Sequence, residues 1–161
     1  METATGVDSD VRRRVGLAWR KMRRGASAIK IKDLFYGHGE QSLDLALADA
    51  LVVICNNGQM RMGELADALQ ITPASTTRAV SCLADKGLVE RVKATDDHRS
   101  ILVSPTETGE ARFAVINANI QGGLTEILSE FTPEEQVQLA DFFERYTQSL
   151  DRYVDRQTDT V

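Results

Sequence analysis

The chain has 161 residues, of which 42% are hydrophobic and 27% are charged, and its formal net charge is −5. These values fit one compact domain, or a small domain with helical extensions, and they exclude a wholly disordered chain. No transmembrane helix or signal peptide is expected from the apolar pattern, and two cysteines, too few for a disulfide scaffold, favour a cytoplasmic location.

Residues 8–35 are predicted to form one long helix. Apolar side chains between Val11 and Ile29 recur at steps of three and four, which places them on one face. Gly25 weakens the middle of this helix by about 1 kcal/mol relative to alanine. A second helix is predicted to begin near Ser42, its N-cap, and to end at the stop signal of residues 56–58.

A helix-turn-helix pattern comes next. Residues 63–70 predict a short helix, residues 71–73 predict a turn, and a further helix runs from there to about residue 86. Thr72 is the expected N-cap of this further helix, with a proline at the first position and a glycine suited to the C-terminal cap at position 87. The residues expected on its buried face are Thr76, Val80 and Leu83.

A pair of antiparallel strands is predicted after these helices. Residues 88–94 and 99–104 alternate and contain β-branched side chains, and residues 95–98 supply a turn. A two-stranded hairpin is marginally stable by itself, so it must pack against the helices. A hairpin in this position is a wing.

Two more helices complete the chain. Thr106 is the expected cap of a helix over about residues 106–130, and a capping box at 132–135 opens a final helix that reaches about residue 155. The predicted fold class is therefore mainly α with a small β-wing.

The long helices at the two ends of the chain carry apolar stripes that need a partner. A small head cannot cover all of these stripes, so we expect a symmetric homodimer. Residues 42–105 are assigned to a winged helix-turn-helix head, and residues 8–41 and 106–157 to a helical dimerisation region.

The charge is unevenly distributed. Residues 11–32 carry nine basic residues and no acidic residue, whereas residues 106–161 carry eleven acidic and four basic residues. DNA responds to the local field, so the acidic total does not exclude it as a partner. The basic stretch can contact flanking phosphates, pair with the acidic C-terminal helices across a dimer, or form a solvated face. No membrane partner is expected.

Several motifs occur in a recognisable order. They are Thr77-Arg78, the stretch Leu-Ala-Asp-Lys-Gly-Leu-Val-Glu-Arg at 83–91, Asp97-His98-Arg99, and Leu-Val-Ser-Pro-Thr-Glu-Thr-Gly at 102–109. Over about residues 8–155 the chain resembles the MarR-type winged helix-turn-helix regulators. The resemblance implies a dimeric DNA-binding regulator, often a repressor that responds to a small aromatic or phenolic ligand. It also implies that Arg91 pairs with Asp97 and stabilises the wing.

The candidate DNA contacts lie on the further helix and on the wing. A recognition helix reads base edges in the major groove, and Arg78 can donate two hydrogen bonds to a guanine. Arg99 is the candidate for insertion into the minor groove. The helix residues assigned to DNA are Thr72, Ala74, Ser75, Thr77, Arg78 and Ser81, and the wing residues are Lys93, Asp97, His98, Arg99 and Ser100.

Other functions are weaker interpretations of the sequence. No catalytic motif, metal-ligand spacing or cofactor signature is present, so neither an enzyme nor a cofactor is expected. A winged-helix module that binds a ligand or protein without DNA, or an oxidant sensor that uses Cys82, remains an alternative. Cys55 is expected to be a buried, inert thiol. A possible ligand cleft would be lined by Trp19, Phe35, Tyr36, His38 and Phe113.

Overall fold

The computed structural model describes residues 6–37, 42–93 and 101–158, except for the side chain of Lys93. These residues form a mainly helical protein with a small antiparallel sheet, which confirms the predicted fold class. The elements in chain order are α1 (Ser9–Arg24), α2 (Ala26–Tyr36), α3 (Leu45–Asn57), β1 (Met60–Arg61), α4 (Met62–Leu69), α5 (Pro73–Asp85), β2 (Val89–Lys93), β3 (Ile101–Pro105), α6 (Glu107–Leu128) and α7 (Pro133–Thr158).

The chain divides into two compact units, one ending at Ile120 and the other beginning at Gln121. The core of the first unit is apolar and lies between α3, α4, α5, the sheet and the first half of α6. Its largest fully buried side chains are Leu43, Leu51, Ile54, Leu65, Val80, Leu83, Val103 and Ile116. The predicted buried face of α5 is confirmed, because Thr76, Val80 and Leu83 are fully buried.

The second unit consists of the end of α6 and the whole of α7. The predicted capping box is present, because Thr132 N–H donates to the Glu135 carboxylate at 2.9 Å and Glu135 N–H donates to the Thr132 hydroxyl at 3.3 Å. The Gln136 amide also donates to the carbonyls of Leu128 and Phe131, both at 3.0 Å. These bonds fix the start of α7 against the end of α6.

The prediction of one continuous helix over residues 8–35 is wrong. The helix stops at Arg24, Gly25 adopts an extended backbone conformation (φ −70°, ψ 160°), and α2 begins at Ala26. A Cβ atom at position 25 would overlap the Lys21 carbonyl oxygen, so the break requires glycine here. Gly25 therefore separates two helices rather than weakening one.

The predicted start of the next helix is also wrong by a few residues. Asp44, not Ser42, is the N-cap of α3, and its carboxylate accepts a hydrogen bond from Leu47 N–H at 2.8 Å. A carboxylate at this position satisfies a free N–H group and interacts favourably with the helix dipole.

The sheet has one strand more than the predicted hairpin. The strand order is β1-β3-β2 and both pairings are antiparallel, with Met60 opposite Val103 in one and Arg91 opposite Val103 in the other. The central strand is β3, and Val103 on it is fully buried. The extra strand joins the wing to the start of α4.

The start of α6 is bonded to the turn that ends α5. Gly87 has the left-handed conformation expected of a helix-ending glycine (φ 68°). The Thr106 hydroxyl donates to the Gly87 carbonyl at 2.7 Å, and Thr106 N–H donates to the Leu88 carbonyl at 3.1 Å. A Cβ atom at Gly109 would overlap that same Leu88 carbonyl. The two backbones therefore approach each other so closely that any side chain at position 109 would force one of them to shift.

Candidate nucleic-acid interface

The start of α5 is fixed by its predicted cap. The Thr72 hydroxyl accepts a hydrogen bond from Ser75 N–H at 3.2 Å, and Pro73 occupies the first helical turn. Proline is tolerated there because the N–H group it lacks would have no partner within the helix. The remaining N–H groups of this turn point out of the helix end, where they can meet an anion.

One side of α5 is packed into the core and the other is open to solvent. The buried side consists of Thr76, Ala79, Val80 and Leu83. Of the six residues on α5 and its cap that the sequence assigned to DNA, five are exposed and Ser81 is half-buried. The exposed set that α5 and its cap bring together is Thr72, Ala74, Ser75, Thr77 and Arg78.

Arg78 is the cation of this open face. Within the described part of the chain its guanidinium makes no hydrogen bond or ion pair, and its neighbours along the helix are small. Its planar set of N–H donors is therefore available to an external partner. A guanidinium of this kind can bond the O6 and N7 atoms of guanine together.

Two hydroxyl groups of α5, those of Thr77 and Ser81, are already used as donors. The Thr77 hydroxyl donates to the Pro73 carbonyl at 2.9 Å, and the Ser81 hydroxyl donates to the Thr77 carbonyl at 2.8 Å. A hydroxyl has one proton and two acceptor lone pairs. In this arrangement these side chains can therefore accept a hydrogen bond from an external group but have no free proton to donate.

A hydrogen bond that the sequence did not reveal joins the wing to α5. The guanidinium of Arg91, on β2, donates from Nη2 to the Ser81 Oγ at 2.6 Å. The two residues are ten positions apart and belong to different elements, so no local spacing points to this bond. Arg91 is exposed, whereas Ser81 is half-buried.

Most of the predicted wing residues lie outside the described part of the chain. Lys93 belongs to β2, but its side chain is not described. The predicted pairing of Arg91 with Asp97 and the predicted minor-groove contact of Arg99 thus stay predictions. The wing residues outside the description are Asp97, His98, Arg99 and Ser100.

The residues of the predicted ligand cleft are spread over three helices. Trp19 on α1 is 44% exposed, and the Arg23 guanidinium lies 4.2 Å from the centre of its ring. Phe35 and Tyr36 on α2 form an edge-to-face pair with ring centres 6.3 Å apart. Phe113 on α6 is half-buried, and His38 lies outside the described residues.

A cavity of about 460 Å³ lies in the first unit, and none of the four described residues of the predicted cleft lines it. Most of its wall is aliphatic, and two cations, Lys86 and Arg112, contribute to it. Arg112 is oriented by a hydrogen bond of 2.5 Å from its Nη2 to the Tyr36 carbonyl. Sequence periodicity did not indicate this cavity. The lining residues are Leu43, Lys86, Leu88, Thr108, Ala111, Arg112 and Val115.

Three titratable groups near the core have shifted pKa values. Burial raises the pKa of the Cys55 thiol to about 11, with a further contribution from Glu110, and the thiol contacts the Gly109 carbonyl at 3.9 Å. Burial raises the pKa of Asp49, and burial together with the Asp49 charge raises the pKa of Tyr36. Cys55 is half-buried rather than buried as expected. With this pKa it is a protonated thiol at neutral pH, and a protonated thiol is a poor nucleophile.

The described residues lack two further kinds of feature. They contain no group of three or more His, Cys, Asp or Glu side chains that is placed to hold a metal ion. None of their helices is both long and apolar enough to cross a membrane.

Known proteins resemble this chain in sequence as well as in fold. Residues 43–101 match the model of the MarR family. An HTH-type transcriptional regulator of Mycobacterium tuberculosis is 30% identical over 130 residues, which cover 81% of this chain and 87% of the relative. The transcriptional repressor MdtR of Bacillus subtilis is 26% identical over 112 residues, which cover 70% of this chain and 72% of that protein.

The solved structures agree at the level of the fold. FabT of Streptococcus pneumoniae, whose crystal structure contains DNA, superposes with a TM-score of 0.77 at 16% identity. The match covers 88% of this chain and 98% of that chain. This chain and FabT thus share one fold.

Proposed function

Since this chain belongs to the MarR family of helix-turn-helix transcriptional regulators, we propose that it is a homodimeric repressor that binds a specific DNA sequence and is released by a small molecule. Family membership confirms the prediction that the chain is a transcriptional regulator and not an enzyme. The repressor role, the dimer and the ligand go beyond membership, and each has support of its own.

The open face of α5 is the observation that carries DNA binding. It combines the unpaired Arg78 guanidinium with small neighbours that let the helix backbone approach the bases, as major-groove readers require. The opposite side of α5 is anchored in the core, so the helix is a rigid reading element. FabT, a structural neighbour, was solved in complex with DNA.

In the proposed complex α5 enters the major groove and the wing meets the adjoining minor groove. Arg99 is the proposed minor-groove contact, because the negative potential of DNA is concentrated there. Lys93, His98 and Ser100 are proposed to contact the backbone nearby, and Asp97 to hold the wing. The N-terminal N–H groups of α5 are placed to bind a phosphate.

The terminal helices support a homodimer. Neither α1 nor α7 has a buried residue, yet both carry an apolar stripe. On α7 this stripe includes Phe142, Tyr146, Leu150 and Tyr153, each between 43% and 60% exposed. Exposed apolar stripes of this length mark protein contact surfaces. A second copy of the chain supplies matching stripes by two-fold symmetry.

The charges of the same helices are compatible with this arrangement. By composition α1 carries seven basic residues and one acidic residue, whereas α7 carries six acidic and three basic residues. Opposite net charges attract at a distance and favour α1 of one copy near α7 of the other. We therefore interpret the basic stretch as part of the dimerisation region, with its outer face solvated.

The repressor role and the ligand rest on two separate observations. MdtR of Bacillus subtilis is named as a transcriptional repressor. The cavity in the first unit, with an aliphatic wall and two cations, fits an aromatic ring that carries a phenolate or carboxylate. Binding there would act on α5, because Lys86 is the residue that caps its C-terminus.

The test is selection of duplexes from a random pool by the purified chain, followed by footprinting. We expect a two-fold symmetric site with half-sites about 10 bp apart or slightly more. Arg78→Ala should lose preference at one position in each half-site while the protein stays folded. Failure to enrich any sequence would overturn the proposal and favour a winged-helix module that binds another partner.

A further inference from the structure

The hydrogen bond between Arg91 and Ser81 connects the two parts of the proposed DNA-binding surface. Arg91 lies on β2, the first strand of the wing, and Ser81 lies on α5. Their bond is short, at 2.6 Å from Nη2 to Oγ. It crosses from the wing strand to the reading helix by side chains alone.

The single proton of the Ser81 hydroxyl is already used in a hydrogen bond within α5. The hydroxyl donates to the Thr77 carbonyl at 2.8 Å and accepts from Arg91 at the same time. Ser81 therefore has no proton for a base. The sequence assigned Ser81 to base contact, and the observed bonds suit a different task.

Arg91, in contrast, has donors to spare. A guanidinium has five N–H groups in one plane, and Ser81 takes one of them. The others make no hydrogen bond to any residue that the structure describes, and the side chain is exposed. Because Ser81 holds one edge of the plane, the direction of the remaining N–H groups is set in advance.

The position of the Arg91 guanidinium indicates which part of the DNA it would contact. Ser81 follows Thr77 and Arg78 by one helical turn, so its partner Arg91 lies beside the open face of α5. If α5 fills a major groove and the wing the next minor groove, the sugar–phosphate strand between the grooves passes over the junction of α5 and β2. An exposed arginine at that junction faces phosphate oxygens, which guanidinium groups bind in pairs.

We propose that Arg91 binds a backbone phosphate of the DNA, and that Ser81 is the residue that positions Arg91 for this contact. This inference rests on the proposed DNA-binding function. It separates the residues of α5 into two groups. Arg78 selects bases, whereas Ser81 sets the register of the protein on the duplex through Arg91.

The test measures binding to a fluorescent duplex selected by the wild-type chain, and to a scrambled duplex, over a range of salt concentrations. Arg91→Gln should reduce the slope of log K against log salt by about 0.9 for each protomer on both duplexes. Ser81→Ala should weaken binding about 3- to 10-fold without changing the preferred bases. In the Arg91→Gln background, Ser81→Ala should have no further effect. In an otherwise wild-type chain, Ser81→Thr keeps the hydroxyl and should bind as the wild type does.

Arg91→Lys is the matched comparison, because it keeps the charge. The salt slope should stay near the wild-type value, whereas the affinity should fall, since an ammonium group cannot bind a phosphate through two N–H groups in one plane. An unchanged slope in Arg91→Gln, a new base preference in Ser81→Ala, or independent effects of the two substitutions would each overturn the inference. If the wild-type chain still binds DNA, any of these three outcomes overturns only the inference about Arg91 and Ser81, and the proposed function stands. A wild-type chain that binds neither duplex would overturn both.

Discussion

The head and the terminal helices use the same sequence pattern with opposite results. In the head, apolar residues spaced for a helix face, such as Leu51 and Leu83, are fully buried within a single chain. In α1 and α7 the same spacing leaves Val15 48% and Phe142 60% exposed. The head therefore contains its own core, whereas the terminal helices have apolar faces that a single chain leaves uncovered. In the proposed homodimer, the stability of the head would therefore depend on one chain and the stability of the ends on two.

The sharpest test of this contrast compares one leucine from each region. Leu51→Ala should lower the free energy of unfolding by about 2–5 kcal/mol, because it removes buried methyl groups and leaves a cavity. The loss should be the same at all protein concentrations. Thermal unfolding followed by circular dichroism measures it.

Leu150→Ala on α7 is the matched variant, because Leu150 is 46% exposed in the single chain. Its effect should depend on protein concentration, since the leucine is expected to pack only in the dimer. Sedimentation should show the variant dissociating at higher concentrations than the wild-type chain. If the stability losses of Leu51→Ala and Leu150→Ala depended on protein concentration to the same extent, the head and the terminal helices would not differ in how they are stabilised.

A pair of glycines on α6 tests where the head meets this helix. Gly109→Ala should destabilise the protein by about 1–3 kcal/mol, because the added Cβ would overlap the Leu88 carbonyl. Gly122→Ala on the same helix meets no heavy atom within 4 Å and should stabilise by up to about 1 kcal/mol. Chemical denaturation measures both. Changes of the same sign would contradict the close contact at the start of α6.

The features that the sequence predicted correctly depend on short stretches of chain. The Thr72 cap, the glycine turn at Gly87 and the capping box at Thr132 each involve residues within a few positions of one another. The buried face of α5 follows from the helical repeat alone. For the same reason the position of the helix that carries Arg78 follows from the sequence pattern.

The features that the sequence did not predict depend on distant contacts. Strand β1 has two residues and exists because it pairs with β3, some forty residues later. The bond between Arg91 and Ser81 exists because the wing folds back onto α5. The break at Gly25 depends on a backbone overlap that composition does not reveal. Local patterns therefore located the reading helix but not the residues that connect it to its surroundings.

Two threonines, the N-cap of α5 and one inside the helix, provide a smaller test within the head. Thr72→Ala should cost about 1 kcal/mol of stability, because it removes the acceptor for Ser75 N–H at the helix start. Thr77→Ala is the control, since its hydroxyl bonds only to the Pro73 carbonyl inside the helix, and alanine is the better helix former. Urea titrations compare the two. A larger loss of stability for Thr77→Ala than for Thr72→Ala would mean that the Thr72 hydroxyl is not the one that stabilises the start of α5.

The smallest effect concerns the thiol of Cys55 on α3, studied in a Cys82→Ser background. With a pKa of about 11 in the folded chain against an ordinary value of 9.0, about one thiol in a thousand is ionised at pH 8 when folded and about one in ten when unfolded. Alkylation by iodoacetamide should therefore be about 100-fold faster in urea than in buffer, and the native rate should rise about tenfold for each pH unit up to about 11. Because the folded pKa is the higher one, the contribution of Cys55 to stability should be constant below pH 9 and should be lost as the pH rises from there to about 11. Equal alkylation rates in urea and in buffer would mean that folding does not protect the Cys55 thiol. In that case α3 would not be part of a core formed by one chain.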